Sequence, residues 1–220
     1  NFDEVRFDYY KDQSVAMEAF KAGEYDFRTE NSSKRWAKDY QFPARRAKKV
    51  IVSEQSHTNP AGMQAFVYNL RRPKFQDKLL REALSYAFDF EWSNKNLFYG
   101  QYKRTRSFFQ NSELAATGLP SPEELEILTP LRDHIDPRVF SQSYAPPRTS
   151  GDGRVRGNLR IAQRLLKKAG WKIENTKLIN PKTGQPLEIE FLLVSPDFER
   201  VVLPFIQNLK RLGVFGKIRT

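Results

Sequence analysis

The sequence predicts an α/β fold with partly parallel strands, on two observations. Near its start, strand-like and helix-like stretches alternate in the order β-α-β-α, and near its end PLEIEFLLV, DFERVVLPFIQNLKRLG and VFGKIR read as strand, helix, strand. Alternation of this kind builds a parallel sheet with helices laid on its faces.

The elements follow in order. EVRFDYY sets Val5, Phe7 and Tyr9 between polar residues, the period of a half-buried strand. Ser14 is placed to cap a helix over VAMEAFKAG that Gly23 stops. EYDFRT reads as a second strand, and Asn31 or Ser32 as the cap of a helix carrying Trp36. VIVS and MQAFVYNL are two further extended segments, parted by the turn-prone SHTNPAG. Period two then puts Ala65, Val67 and Asn69 on one face and Gln64, Phe66 and Tyr68 on the other. Pro73 ends the extended run, because it cannot donate to a ladder and drives the residue before it away from helix. Asp77 can cap the next helix, where Leu80, Ala83, Leu84, Ala87 and Phe88 recur on one face.

From about Gly100 to Gly157 regular periodicity fades. One helix stays legible there, with Ser121 as cap, Pro122 first and Glu124 closing a capping box. NLRIAQRLLKKAGW is the clearest helix of all, with Leu159, Ala162, Leu165, Leu166 and Ala169 inward, cations outward and Gly170 as stop. After the strand in PLEIEFLLV, the next helix is expected to bend or begin near Pro204.

Composition narrows the chemistry. Lys and Arg total 37 against 26 acidic residues, a formal charge of +11 that favours acidic partners without fixing a fold. With no cysteine in 220 residues, a disulfide framework, thiolate catalysis and Cys-based zinc sites are excluded. His57 and His134 stand apart in loop-like contexts, neither with a second histidine at metal spacing. Nucleophile-elbow, phosphate-loop, zincin and EF-hand patterns are missing, and Glu123 and Glu124 are explained as helix-start charges. No enzyme activity, cofactor or metal is therefore expected. Basic clusters at Arg45, Arg46, Lys48 and Lys49, at Arg71 and Arg72, and at Lys103, Arg104 and Arg106 beside Phe108 and Phe109 keep a nucleic-acid-binding alternative open. No nucleic-acid motif accompanies them. The opening NFDEVRF lacks an initiator methionine and the closing KIRT reads as the start of a strand, so an internal part of a longer protein is expected.

Taken in order, AFKAGEYDF, YNLRRPKFQDKLLREALSYAFDF, Gly100, AQRLLKKAGW and NLKRLGVFGKIR resemble the family 5 extracellular solute-binding proteins, the peptide-type periplasmic receptors of ABC importers. The loop FYGQYKRTRSFFQNSELAATG is most similar to the branch linked to oligopeptides and microcin C-type peptide conjugates. The resemblance implies a class II periplasmic-binding-protein-like α/β fold, present in part. Residues 1–62 would be the end of the first lobe and the crossover, and residues 63–220 an incomplete second lobe. It also implies a periplasmic, monomeric receptor that binds a peptide or peptide conjugate between two lobes and delivers it to permease subunits, without catalysis or nucleic acid. The ligand-facing residues it implies are Thr29, Glu30 and Asn31 after GEYDF, Ala65 and Val67 on the crossing strand, and Ser195 and Asp197 after EIEFLLV. Five of these have a plainer alternative: a helix-start carboxylate for Glu30, sheet packing for Ala65 and Val67, and helix capping for Ser195 and Asp197. Arg81 and Asp89 are expected to be structural, and Phe108 and Phe109 either wall a pocket or are buried in the second lobe.

Overall fold

The computed structural model describes residues 2–220. These form two compact units, the first running to Ser56 and the second from His57 to Thr220.

In the first unit, α1 (Gln13–Ala22) begins at Asp12, not Ser14. The Asp12 carboxylate accepts from the Ser14 N–H at 2.7 Å and the Val15 N–H at 3.1 Å, so an anion sits where a hydroxyl was expected. A carboxylate is the stronger acceptor at the positive end of a helix. Gly23 closes the helix in the left-handed region. Ser32 caps α2 (Ser33–Lys38) as expected, and α3 (Pro43–Arg46) is one further turn. Met17, Phe20, Tyr40 and Phe42 form the core, with Trp36 packed against it. The strands expected in EVRFDYY and EYDFRT do not form. Phe7 and Tyr9 are 74% and 93% exposed, and Phe27 is 80% exposed. Alternation makes a strand only where a neighbour supplies a ladder and a surface to cover. Among the described residues of this unit neither is offered.

The second unit opens on extended chain. VIVS, in the first unit, and MQAFVYNL, in this one, likewise form no ladder among the described residues. The second keeps its alternation all the same: Phe66 and Tyr68 pack on the core while Ala65, Val67 and Asn69 are exposed. Pro73–Phe75 is a single 3-10 turn, and Lys74 swings its ammonium onto the Glu188 carbonyl, which fixes the basic corner to a strand edge. Asp77 caps α4 (Lys78–Ser85), accepting from the N–H groups of Leu79 and Leu80 at 2.9 and 3.2 Å. Its other oxygen accepts from the Trp171 indole at 3.3 Å, joining the start of α4 to the chain just past the end of α7 (Arg156–Lys168). Asp77→Ala is therefore expected to cost about 1 to 2 kcal/mol, read as a lower denaturant midpoint at unchanged slope.

Asp89 caps α5 (Phe90–Asn96), and Ser121 and Glu124 form the expected capping box of α6 (Pro122–Leu128). Arg138 pairs with Glu82 and Asp136, tying the irregular middle to α4. After α7 comes a hairpin, β1 (Lys172–Glu174) and β2 (Lys177–Ile179), whose turn residues Asn175 and Thr176 both have positive φ. No pattern in the sequence announces it, since this turn lacks the Asn-Gly pair that marks such hairpins. β3 (Glu188–Leu192) and β4 (Phe215–Arg219) then pair in parallel, Ile189 opposite Gly216 and Phe191 opposite Ile218. α8 (Glu199–Lys210) joins them as a strand-helix-strand crossover, starting five residues before Pro204 and running through it. Buried Val202, Phe205 and Leu209 of α8, Leu80 and Leu84 of α4, and Leu159 and Leu166 of α7 share one core with both strands.

Candidate functional site

Thr29, Glu30 and Asn31 sit just before α2. Thr29 and Asn31 are exposed, while the Glu30 side chain between them is turned inward and only 3% exposed. Its carboxylate accepts from the Ser32 N–H at 2.7 Å, Arg35 Nε at 3.3 Å, Arg28 Nη2 at 3.3 Å and the Tyr40 hydroxyl at 3.3 Å. Burial pushes the Glu30 pKa up. The Ser32 N–H and the charges of Arg35 and Arg28 outweigh it and hold the group below its ordinary value. The reading in which Glu30 pairs with a ligand amine meets a carboxylate with both oxygens already in use, and the helix-start alternative describes it better.

In the second unit, Ala65 and Val67 point outward from an anchored segment. Phe66 packs against Phe88, Phe191 and Phe205 with ring centroids 5.5, 5.7 and 5.4 Å apart, and Tyr68 stands 5.3 Å from Phe75. Burial pushes the Tyr68 phenol up to about 12 against the opposing charge of Arg81. From Met63 to Tyr68 the backbone enters no hydrogen bond among the described residues. Phe191 belongs to β3, so the Phe66 contact lays this segment beside the strand whose far end leads to Ser195 and Asp197. The Ser195 hydroxyl accepts from the Asp197 N–H at 3.2 Å, capping a 3-10 turn at Pro196–Phe198, and Asp197 is exposed.

Arg81 donates to the carbonyls of Phe75 and Gln76, and Asp89 accepts from the Trp92 N–H and the Thr149 hydroxyl through one oxygen, so each has the structural role expected of it, while the other Asp89 oxygen is buried without a partner among the described residues. Phe108 and Phe109 are 79% and 55% exposed, so their expected burial does not occur: they lie in a run of turns from Ser107 to Ala115 that is tied to residues 57–61 through the Gln110 carbonyl and the Asn111 amide, not through the two rings. The basic cluster at residues 45–49 is partly used on the chain itself, Arg45 donating to the Tyr40 carbonyl and Arg46 to that of Gln41. No group of His, Cys, Asp or Glu among the described residues is placed to hold a metal.

Two cavities in the second unit are lined by none of the seven expected residues. One, of 430 Å³, is lined by Trp92, Leu203, Pro204 and Phe205 among others; the other, of 420 Å³, is lined by Lys103, Arg104, Arg106 and Arg148 with Phe90, Glu91 and Gln110. Three of these cations belong to the cluster that keeps a nucleic-acid alternative open in the sequence. Arg148 comes from a distant loop, and no local spacing reveals that it joins them.

The strand-helix-strand crossover, with its helices gathered on one core, is an α/β fold of the class II periplasmic-binding-protein type, present in part. NikA from Brucella suis, solved in complex with Fe(III)-EDTA, matches 95% of this chain over 35% of its own length, with a TM-score of 0.57 at 21% identity. AppA from Bacillus subtilis, solved with a nonapeptide, matches 94% of this chain over 34% of its own, with a TM-score of 0.57 at 16% identity. The sequence profile described as "Bacterial extracellular solute-binding proteins, family 5 Middle" matches residues 1–220, and the chain belongs to that family. The probable peptide-binding protein YejA of Agrobacterium fabrum is 46% identical over 222 residues, and the peptidoglycan-binding protein YepA of the same organism is 35% identical over 228. All of this chain is matched, and it spans 36% and 37% of those two relatives' lengths. Among the described residues no helix is long and apolar enough to cross a membrane.

Proposed function

We propose that the chain is the middle part of a periplasmic receptor that captures peptides or peptide conjugates in a cleft between two lobes of the whole protein and passes them to the permease subunits of an ABC transporter. In this reading residues 1–62 end the first lobe and supply the crossover, and residues 63–220 belong to the second. The receptor acts as a monomer and carries out no covalent chemistry.

The observation that carries the reading is the segment from Met63 to Tyr68. Its N–H and C=O groups are unpaired among the described residues, its outward side chains at Ala65 and Val67 are small, and its inward rings are locked into the core. Backbone presented in that way accepts an extended peptide as an added strand, with main-chain hydrogen bonds giving affinity independent of sequence. Locked rings preorganise it, so little ordering entropy is spent on binding. Ser195 and Asp197 border the same ligand from the end of β3. In the first unit Thr29 and Asn31 are exposed and available to a ligand, while Glu30 between them is engaged within the unit.

The full-length protein, purified from its host's periplasm and examined by native mass spectrometry, is expected to carry bound peptide. Val67→Trp, at a position 89% exposed, should leave the melting temperature unchanged and weaken peptide affinity roughly tenfold or more by filling the platform. Unchanged peptide affinity in that variant removes this segment from the site.

A further inference from the structure

The 420 Å³ cavity is charged in one sense. Lys103, Arg104, Arg106 and Arg148 line it against the single carboxylate of Glu91. That carboxylate is already engaged, accepting from the Thr149 N–H at 3.0 Å and the Thr149 hydroxyl at 3.2 Å. Among the described residues none of the four cations forms an ion pair.

Arg104 is the most constrained of them. Its guanidinium stands 5.3 Å from the Phe88 ring and 5.2 Å from the Phe90 ring, and its Nη1 is buried with no hydrogen-bond partner. Burial lowers its pKa, opposed by the charges of Glu91 and Tyr144. A desolvated guanidinium nitrogen without an acceptor is costly, as is the mutual repulsion of cations around one hollow, and both costs fall when an anion enters.

The walls are also fixed before any ligand arrives. Asn94 clasps the backbone of Tyr102 through bonds of 2.7 and 3.0 Å, and the Arg106 N–H donates to Gln110 Oε1 at 3.2 Å. The Gln110 carbonyl accepts from the Ala61 N–H at 2.8 Å, which ties the cavity wall to the chain a few residues before Ala65.

We propose that this basic cavity is a subsite for an anionic group of the solute, a carboxylate or a phosphoryl group held by the guanidinium groups. The proposal rests on the peptide-receptor reading and adds a charge requirement to it. Planar guanidinium forks match either oxyanion with paired, charge-assisted hydrogen bonds, whereas a neutral amide gains none of the charge.

The test uses full-length protein and calorimetric titration with five probes: Ala-Ala-Leu-Phe as free acid, the same peptide as C-terminal amide, that amide with phosphoserine replacing the second alanine, inorganic phosphate, and acetate. The comparison protein is the Arg106→Gln, Arg148→Gln double variant, whose two sites are exposed and whose melting temperature should match the parent. A free acid binding roughly tenfold or more tighter than the amide, with the gap collapsing in the variant, establishes a carboxylate subsite. The same pattern for the phosphopeptide establishes a phosphoryl subsite. Equal affinities for all three peptides, or a gap that survives in the variant, overturn the proposal. If no peptide binds, the peptide reading fails by itself, and the anion subsite then stands on binding of phosphate or acetate that the double variant loses, or falls with the absence of such binding.

Discussion

Glu30→Ala is expected to unfold the first unit and leave the second intact. The side chains of Glu30 and Arg28 are 3% and 7% exposed, and Arg28 Nε already lacks a partner. Removing the carboxylate strands a buried guanidinium and releases the Ser32 N–H and the Tyr40 hydroxyl. Breaking a buried pair in this way costs about 3 to 5 kcal/mol, because the remaining charge is left uncompensated. A unit ending at Ser56 has only about 3 to 8 kcal/mol in total at typical stability per residue. The loss therefore equals most of what holds the unit together. Hydrogen exchange on the full-length protein is the suitable measurement: α1 and α2 should lose protection while α4 and α7 keep theirs. Protection of α1 unchanged in the variant would show that the network contributes little. The same experiment separates two roles for Glu30, since a ligand-pairing carboxylate would cost affinity when removed and leave protection alone.

The acid limb follows from the same group. The Glu30 pKa is depressed in the folded protein, so its contribution to stability is present above the ordinary glutamate value of 4.5 and is lost as pH falls through the lower folded value. Acidification should open the first unit in that window, and Glu30→Gln should flatten the dependence.

How much of this could be read beforehand divides along a physical line. Helices with an apolar stripe and a polar cap were legible, because both devices are local: Asp77 before Leu80 and Leu84, Ser121 before Glu124, and Leu159 to Leu166 ahead of Gly170. Strands were legible only where a partner exists. The β3 and β4 runs paired, while EVRFDYY, with an equally good alternation, found no ladder among the described residues. Sequence period reports a willingness to be a strand and says nothing about the neighbour. At the site, the outward face of Ala65 and Val67 was legible from period two. The inward turn of Glu30 was not, since its partners Arg28 and Tyr40 lie in irregular chain before and after it, where no period places a side chain. The basic cavity was half legible. Lys103, Arg104 and Arg106 are adjacent, but Arg148 and the two aromatic rings holding Arg104 arrive through tertiary contact.

Gly213→Ala is expected to destabilise the second unit by about 3 kcal/mol, from two terms of different origin. Gly213 has φ +80°, where an L side chain is strained by roughly 1 to 2 kcal/mol. A Cβ there would also stand 2.8 Å from Leu178 N, 3.0 Å from Thr176 O and 3.1 Å from Lys177 C, all backbone atoms with no rotamer to yield. The hairpin must shift, and Leu178 is its buried residue, donating its N–H to the Gly213 carbonyl at 2.8 Å and accepting from the Leu187 N–H at 2.7 Å. Overpacking of this kind adds about 1 to 3 kcal/mol. Gly184→Ala supplies the control: φ is +68°, yet nothing lies within 4 Å of the added carbon, so only the conformational term applies. Thermal melts of the two variants should differ by several degrees, at roughly 2 to 4 °C per kcal/mol for a unit of this size. Equal losses at both positions would mean that the close approach of β2 to the turn before β4 contributes nothing, and that the backbone angle alone selects glycine at residue 213.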